Sequence, residues 1–332
     1  MNLACIGHPL ESRPRDPWIF LLSSLGFIVL LKHTLFFLQW FHSTFLRPPK
    51  DLAQYGPWAL VTGCTDGIGR AFAFNLARRG LNLVLVSRNH EKLETVSNEI
   101  ETTFPSIETR IVAVDFSKDA SSCVRSIEEA IQGLDIGVLI NNVGITYPGA
   151  CFFHEVEERV WREIVRVNVE GTARVTRAVV PGMVRRRRGA VVSVGSGAAI
   201  VVPSHPLFAI YAATKAFIDQ LSRSLHVEYK LHGVDFQCQV PLYVATRMAS
   251  KVASIESKSM FVPSPDEYAR VAIDHIGYEP RCMPHWAHSL QWCFAHCVPD
   301  RVLDAWRLSI GLKRREKYYA MSSSSYQVGF FN

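Results

Sequence analysis

The first apolar run of the chain, Trp18 to Leu31, spans fourteen residues without a charge, and a second runs from Thr34 to Leu46 after Lys32-His33. Neither run alone reaches the roughly 20 residues that a bilayer requires, and together they overshoot it. Two arrangements satisfy the pattern. One is a single spanning helix that tolerates Lys32, at a cost of about 2.5–3.5 kcal/mol if the lysine sits mid-bilayer. The other is a re-entrant hairpin with Lys32-His33 near an interface. A cleaved signal peptide is disfavoured because no small-residue site follows the run. Arg13 and Arg15 on one side match Arg47 and Lys50 on the other, so flanking charge sets no orientation.

Beyond the stiff, polar Arg47-Pro-Pro-Lys50 the pattern changes. Short β-branched runs at 58–61, 82–87, 110–115, 136–141, 190–195 and 235–240 alternate with helical periodicity at about 67–79, 90–104, 119–132, 156–187 and 209–232. Near-continuous apolar strands alternating with helices predict a parallel sheet covered on both faces, the doubly wound α/β (Rossmann) fold, which binds ligands at the carboxyl ends of its strands. The expected organisation is a polar N-terminus (1–17), a membrane-anchor helix (18–46), a linker (47–55), an α/β domain with a hydrophobic extension (56–312) and a polar tail (313–332).

Composition narrows the setting. In 332 residues, 48% hydrophobic and 20% charged content is that of a folded globular chain, and a net charge of +6 is too small to argue for nucleic acid. The eight cysteines include no C-x-x-C pair and there is no glycosylation sequon, which fits reduced thiols on the cytosolic side.

The chemistry is concentrated in a few stretches. Tyr211 and Lys215 stand four residues apart at the start of a predicted helix, on one face. A cation beside a phenol is expected to bring its pKa down from about 10 and make it a usable proton donor. At the end of the first predicted strand, Thr62-Gly-Cys-Thr-Asp-Gly67-Ile-Gly69 is a glycine-rich turn opening a helix. Such a turn lets backbone amides approach a pyrophosphate at a helix N-terminus. The second strand ends in Val86-Ser87-Arg88, where an arginine suits the 2′-phosphate of NADP and an acid would suit NAD. Asp115, ending the third strand, is placed either for an adenine amino group or as a helix cap.

Thr62-Gly63-x3-Gly67-Ile-Gly69, Asn141-Asn142-Val-Gly144, a serine in the exit of the fifth strand and Tyr211-x3-Lys215 together resemble the short-chain dehydrogenase/reductase family over about residues 56–250. The resemblance implies NADP(H) held by Gly63, Thr65, Asp66, Gly67, Ile68 and Gly69 in the turn. Ser87, Arg88, Asp115, Asn142, Gly144 and Thr246 would complete that site, with Tyr211 and Lys215 at the nicotinamide end. It further implies that Tyr211 protonates a substrate carbonyl, that Lys215 lowers the tyrosine pKa and holds the nicotinamide ribose, and that Ser196 binds and polarises the same oxygen. Ser196 is preferred to Ser193, which falls inside the strand, and Asn168 is expected mid-helix supporting a water and the lysine.

A narrower resemblance lies in His154-Glu155-Val156, His226-Val-Glu228-Tyr229-Lys230, Gln237 through Thr246 and the apolar N-terminus. These are similar to the membrane-bound very-long-chain 3-oxoacyl-CoA reductases of fatty acid elongation, in their plant form. The same branch holds 17-beta-hydroxysteroid dehydrogenases. Membership implies a long-chain acyl-CoA substrate, the endoplasmic reticulum membrane, a cytosolic catalytic domain, and a condensing enzyme, a dehydratase and an enoyl reductase as partners. Three departures stand out: Val143 where the family shows alanine, a Ser196-to-Tyr211 spacing of fifteen that reshapes the loop 197–208, and a Ser-rich C-terminus without a lysine retrieval signal.

Other features read as non-catalytic. Arg185 to Arg188 suit a solvated helix end. Cys282, His285, His288, Cys293, His296 and Cys297 fit no zinc spacing, and Trp286, Leu290, Trp292 and Phe294 make the segment read as an apolar, membrane-facing helix, so no metal is expected. Lys313-Arg-Arg-Glu-Lys317 reads as a tail in solvent or headgroups. Two rivals remain: a steroid or other hydrophobic-ketone reductase with a different pocket behind residues 246–264, and a scaffold that does not turn over.

Overall fold

A computed structural model describes residues 17–118 and 120–328. The chain divides into two compact units, Met1–Arg47 and Pro48–Asn332. The polar residues ahead of Pro17, with Arg13 and Arg15, lie outside the described residues.

Among the described residues the first unit is one continuous helix. Helix α1 (Pro17–Phe41) runs straight through Lys32-His33 and passes into a π-helical turn at His42–Leu46, so the hairpin arrangement is not the one adopted. Together they make a 30-residue apolar helix, long enough to cross a membrane, and α1 buries none of its residues within the chain. The backbone bonds of a helix are satisfied internally, which is what a hydrocarbon environment demands.

The second unit is a seven-stranded, all-parallel sheet in the order β3-β2-β1-β4-β5-β6-β7. In chain order its first half is β1 (Trp58–Thr62), α2 (Gly67–Arg78), β2 (Asn82–Ser87), α3 (His90–Thr103), β3 (Thr109–Ala113), α4 (Ala120–Ile131) and β4 (Ile136–Asn141). The second half is α5 (Glu158–Val165), α6 (Thr172–Arg186), β5 (Gly189–Val194), α7 (Gly197–Ile200), α8 (Ala209–Tyr229) and β6 (Val234–Gln239). Then follow α9 (Arg247–Ala253), α10 (Pro265–Asp274), β7 (Arg281–Cys282), α11 (Trp286–His296) and α12 (Asp300–Val328).

Alternation along the strands builds two cores. In β1, Ala59 and Val61 face one side with Phe72 and Leu76 of α2, while Trp58 and Leu60 face the other with Val175 and Val179 of α6. Phe72 and Leu76 are fully buried, each contributing about 1.5–3 kcal/mol of apolar transfer. Because β3 connects across the sheet to β4, the strand order reverses between β1 and β4, and a crevice opens there at the carboxyl ends.

The structure corrects the sequence reading in three places. The helix expected over 156–187 is split by a π-helical segment, Arg166–Gly171, between α5 and α6. Periodicity did not reveal three of the elements after α9, namely β7, α12 and α10, the last opened by the capping box Ser264–Glu267 with Pro265, whereas α11 falls on the apolar segment of Trp286, Leu290, Trp292 and Phe294. No solvent tail begins at residue 313: α12 runs across it, Arg315 pairs with Glu155 and Lys317 Nζ donates to Ser254 Oγ at 3.0 Å. The arginines closing α6 are tethered as well, Arg188 to Asp135 at 2.5 Å and Arg187 to the Leu231 carbonyl at 3.1 Å.

Candidate active site

The crevice is a cavity of about 690 Å³ that runs from Arg88 at one end, past the glycine-rich turn, to Ser196, Tyr211 and the aliphatic residues Val201, Leu242 and Val252. Its floor is made by the strand ends, which tertiary packing fixes in register.

The turn after β1 is shaped by absent side chains. Gly63 has φ +67°, a left-handed conformation open to glycine at little cost, and a Cβ on Gly69 would lie 2.2 Å from the Gly63 carbonyl oxygen. Asp66 caps α2, its side chain accepting from Gly67 N at 2.8 Å. Thr62 Oγ1 accepts from the amides of Asn142 at 3.0 Å and Val143 at 3.1 Å, while Asn142 Nδ2 donates to the Thr62 and Gly63 carbonyls at 3.1 Å. These bonds tie the turn to the exit of β4. The result is a backbone cradle at a helix N-terminus, suited to a pyrophosphate. Val143 packs partly into the core below while also lining the cavity.

Thr65 and Ser87 share a hydroxyl contact of 3.0 Å, and Arg88 extends beside them, exposed to solvent. Asp115 Oδ1 accepts from Ser117 N and Oγ at 3.0 and 2.8 Å. Burial works against its charge, but the Ser117 hydrogen bonds and the nearby Arg88 and Lys118 cations hold the carboxyl below its usual range. Thr246 closes this side as the N-cap of α9, accepting from Ala249 N at 3.2 Å.

At the other end, Ser196 caps α7, accepting from Ala198 N at 3.2 Å, and its hydroxyl is close enough to the Tyr211 phenol to act on its pKa. Ser193 is instead buried inside β5, in ladder with Asn141. Lys215 is buried beneath, donating to the Val194 carbonyl at 2.7 Å with its ammonium 6.0 Å from the Tyr211 ring centre. The pKa of Tyr211 is not lowered as the sequence led one to expect. Burial raises it, with the Ser196 hydroxyl working the other way. Burial also pulls the Lys215 ammonium down to about 8.

Asn168 stands in the π-helical segment, a geometry that recurs at functional sites. It is buried behind the wall, with Gly144 between it and the cavity, and Gly69 is likewise behind the surface it shapes. The other expected residues all line the cavity: Gly63, Thr65, Asp66, Gly67, Ile68, Ser87, Arg88, Asp115, Asn142, Gly144, Ser196, Tyr211, Lys215 and Thr246.

Several site residues escaped the sequence reading. Tyr147 Oη accepts from Ile210 N at 3.1 Å and its ring stacks on Phe208 at 5.5 Å, pinning the start of α8. The long loop from Ser196 to Tyr211 is thereby taken up by α7 and a buried turn at Leu207 and Phe208. His288 uses both ring nitrogens, Nδ1 accepting from Leu242 N at 3.3 Å and Nε2 bonded to the Tyr243 carbonyl at 3.1 Å, and burial takes its pKa to about 3. Tyr243 lay in plain view after β6, where strand ends carry chemistry, whereas Arg307, about a hundred residues from Tyr211, gave no local signal.

Residues 57–257 match the short chain dehydrogenase family. A very-long-chain 3-oxoacyl-CoA reductase-like protein of Arabidopsis thaliana is 57% identical, covering 95% of this chain and 99% of its own. A very-long-chain 3-oxoacyl-CoA reductase of Aspergillus terreus is 38% identical over 84% of this chain and 80% of its own. The inactive hydroxysteroid dehydrogenase-like protein 1 of Homo sapiens is 40% identical over 75% and 74%. Among solved structures, a short-chain dehydrogenase from Sphingobium yanoikuyae in complex with NADPH superposes with a TM-score of 0.62 at 26% identity, covering 76% of this chain and 94% of its own. With its strand order, its glycine-rich turn and a serine, a tyrosine and a lysine gathered at one end of the crevice, the chain belongs to the short-chain dehydrogenase family.

Proposed function

We propose that this protein is an NADPH-dependent reductase of long-chain 3-oxoacyl-CoA thioesters, anchored in the endoplasmic reticulum membrane by α1 with its catalytic domain on the cytosolic side. The observation that carries the reading is the run of one cavity from Arg88 past the glycine-rich turn to Ser196, Tyr211 and Lys215, with aliphatic side chains at that end. The names of the Arabidopsis and Aspergillus relatives support the substrate class, and the Sphingobium structure supports the cofactor.

The residues fit NADPH. Gly63 to Gly69 and the N-terminus of α2 would take the pyrophosphate, Arg88 with Ser87 and Thr65 the 2′-phosphate, and Asp115 the adenine. When bound, the cofactor supplies the hydride. The chain itself does the rest. Ser196 and Tyr211 present hydroxyl donors to the carbonyl oxygen, whose negative charge grows as the bond is reduced. Tyr211 then gives up its proton, and the Lys215 ammonium near its ring favours the phenolate that remains and would hold the nicotinamide ribose. Asn168 holds the wall beside the lysine. Residues 18–46 serve as anchor and 47–55 as linker, and partners from the elongation system meet the same membrane. The competing reading is a scaffold without turnover, suggested by the inactive relatives.

The test is reductase activity of the full chain in detergent, followed by loss of reduced nicotinamide, with a long-chain 3-oxoacyl-CoA and a steroid ketone offered in parallel. Thioester turnover that falls about a hundredfold or more in Tyr211→Phe, with NADPH binding kept, supports the reading. NADPH binding without turnover of either substrate overturns it in favour of the scaffold.

A further inference from the structure

Helix α12 reaches the cavity at Arg307, near the end that holds Ser196 and Tyr211. Gly311 packs against Leu207, Tyr318 against Gly149, and Arg315 pairs with Glu155, so one face of the helix lies over the loops at residues 145–155 and 204–208. Two arginines on that face have no carboxylate partner among the described residues. Arg307 is only 9% exposed and lines the cavity, donating to the His205 ring at 2.7 Å, while its Nε has no hydrogen-bond partner. Arg314 Nη1 donates to the Tyr243 hydroxyl at 2.9 Å. The acids nearby are engaged elsewhere, Asp304 with Ser204 and Glu155 with Arg315. His205 is neutral, its pKa pulled to about 3 by burial and the two cations. A buried guanidinium without an anion is costly, and its cost falls when a ligand oxygen arrives.

The position of Tyr243 identifies that oxygen. Its loop is bound to the Ser196 loop, Gly197 N donating to the Pro241 carbonyl at 2.9 Å, with Leu242 against Gly197. Tyr243 therefore lines the same cavity as Ser196 and Tyr211. Because its oxygen accepts from Arg314, its own O–H is left to donate into the cavity. The two cations outweigh burial and hold this phenol below its usual pKa, which sharpens it as a donor.

We propose that Tyr243, backed by Arg314 and Arg307, forms a second oxygen site that binds the thioester carbonyl of a 3-oxoacyl substrate while Ser196 and Tyr211 hold the ketone. This rests on the reductase reading above and deepens it. One methylene separates the two carbonyl carbons of such a substrate, so both oxygens reach one wall of the cavity, whereas the phosphates of CoA lie a pantetheine arm away. The site selects against an isolated ketone, since an unfilled donor pair keeps its desolvation cost.

The test uses the full chain in lipid nanodiscs with NADP⁺ present, so that no hydride is available and binding is read independently of turnover. Calorimetry compares a medium-chain 3-oxoacyl N-acetylcysteamine thioester, its CoA ester, and the methyl ketone of equal chain length. The preference for the thioester over the ketone is expected to fall about tenfold or more in Tyr243→Phe and in Arg314→Met. Arg307→Lys is expected to retain more of the preference than Arg307→Leu. An unchanged preference in Tyr243→Phe and Arg314→Met overturns the proposal, as does an equal loss for thioester and ketone, or a loss confined to the CoA ester. Absence of NADPH-dependent turnover sinks the reductase reading by itself and is distinguishable from each of these outcomes.

Discussion

Asn168 holds both polar groups of the Ile145 backbone: its Oδ1 accepts from the amide at 2.8 Å and its Nδ2 donates to the carbonyl at 2.9 Å. The same Nδ2 donates to Thr214 Oγ1 at 3.0 Å, so one buried amide side chain ties the π-helical turn, the exit of β4 and the start of α8 together. The helix between 158 and 186 widens at this same point. Turned toward Ile145 and Thr214, the asparagine works as a brace for the wall next to Lys215.

Asn168→Ala is expected to strand the Ile145 N–H and C=O and to cost about 1–3 kcal/mol of stability. Thermal melting checks this. Turnover should fall as well, because Gly144 and Ile145 line the cavity beside the lysine. Asn168→Asp can accept but not donate, so it is expected to be no better than the alanine variant.

Arg88→Ala is expected to weaken NADPH by about tenfold or more while leaving NADH affinity within a few fold, because a charge-assisted contact to the 2′-phosphate is lost. Cofactor fluorescence titrations read the ratio. Equal weakening of both cofactors would place Arg88 outside the 2′-phosphate site.

Gly69→Ala places a methyl group 2.2 Å from the Gly63 carbonyl oxygen, a clash with backbone that no side-chain rotation relieves. The expected result is a destabilisation of about 1–3 kcal/mol and a larger loss of dinucleotide binding, since the cradle itself must shift. Melting and titration of the same sample separate the two effects.

Lys215 gives the cofactor-free protein a pH signature. Its folded pKa, about 8, lies below its ordinary value of 10.5, so between these values the unfolded chain binds more protons and stability rises with pH. Below about 8 both states carry the charge and the burial penalty is fully present. Denaturation across this window should show the rise in wild type and lack that part of it in Lys215→Met.

The catalytic unit is expected to fold without the anchor, because every core cluster begins at Leu52 or later and α1 buries nothing. A chain starting at Pro48 should melt cooperatively and bind NADPH; failure to do so would show that residues 17–47 support the fold.

Local pattern was enough for much of this protein. The six long strands and the helices between them are written in apolar runs of fixed period, and the Gly63-to-Gly69 turn and Tyr211-x3-Lys215 are contiguous motifs whose spacing already implies a shared face. Other facts required the folded chain. Whether Tyr211 is acidified depends on burial and on where the Lys215 ammonium points, and here it points to the Val194 carbonyl. The brace made by Asn168 exists only once the π-helical segment, the exit of β4 and α8 converge. The walls made by Tyr243, Arg307 and Arg314 join residues far apart in sequence, and Arg314, which reads as a solvent charge in a basic pentapeptide, becomes the partner of a phenol when α12 folds back. Periodicity reports how a residue sits in its own helix or strand; hydrogen-bond partners and electrostatic environment are set by distant segments, and those are fixed only by tertiary packing.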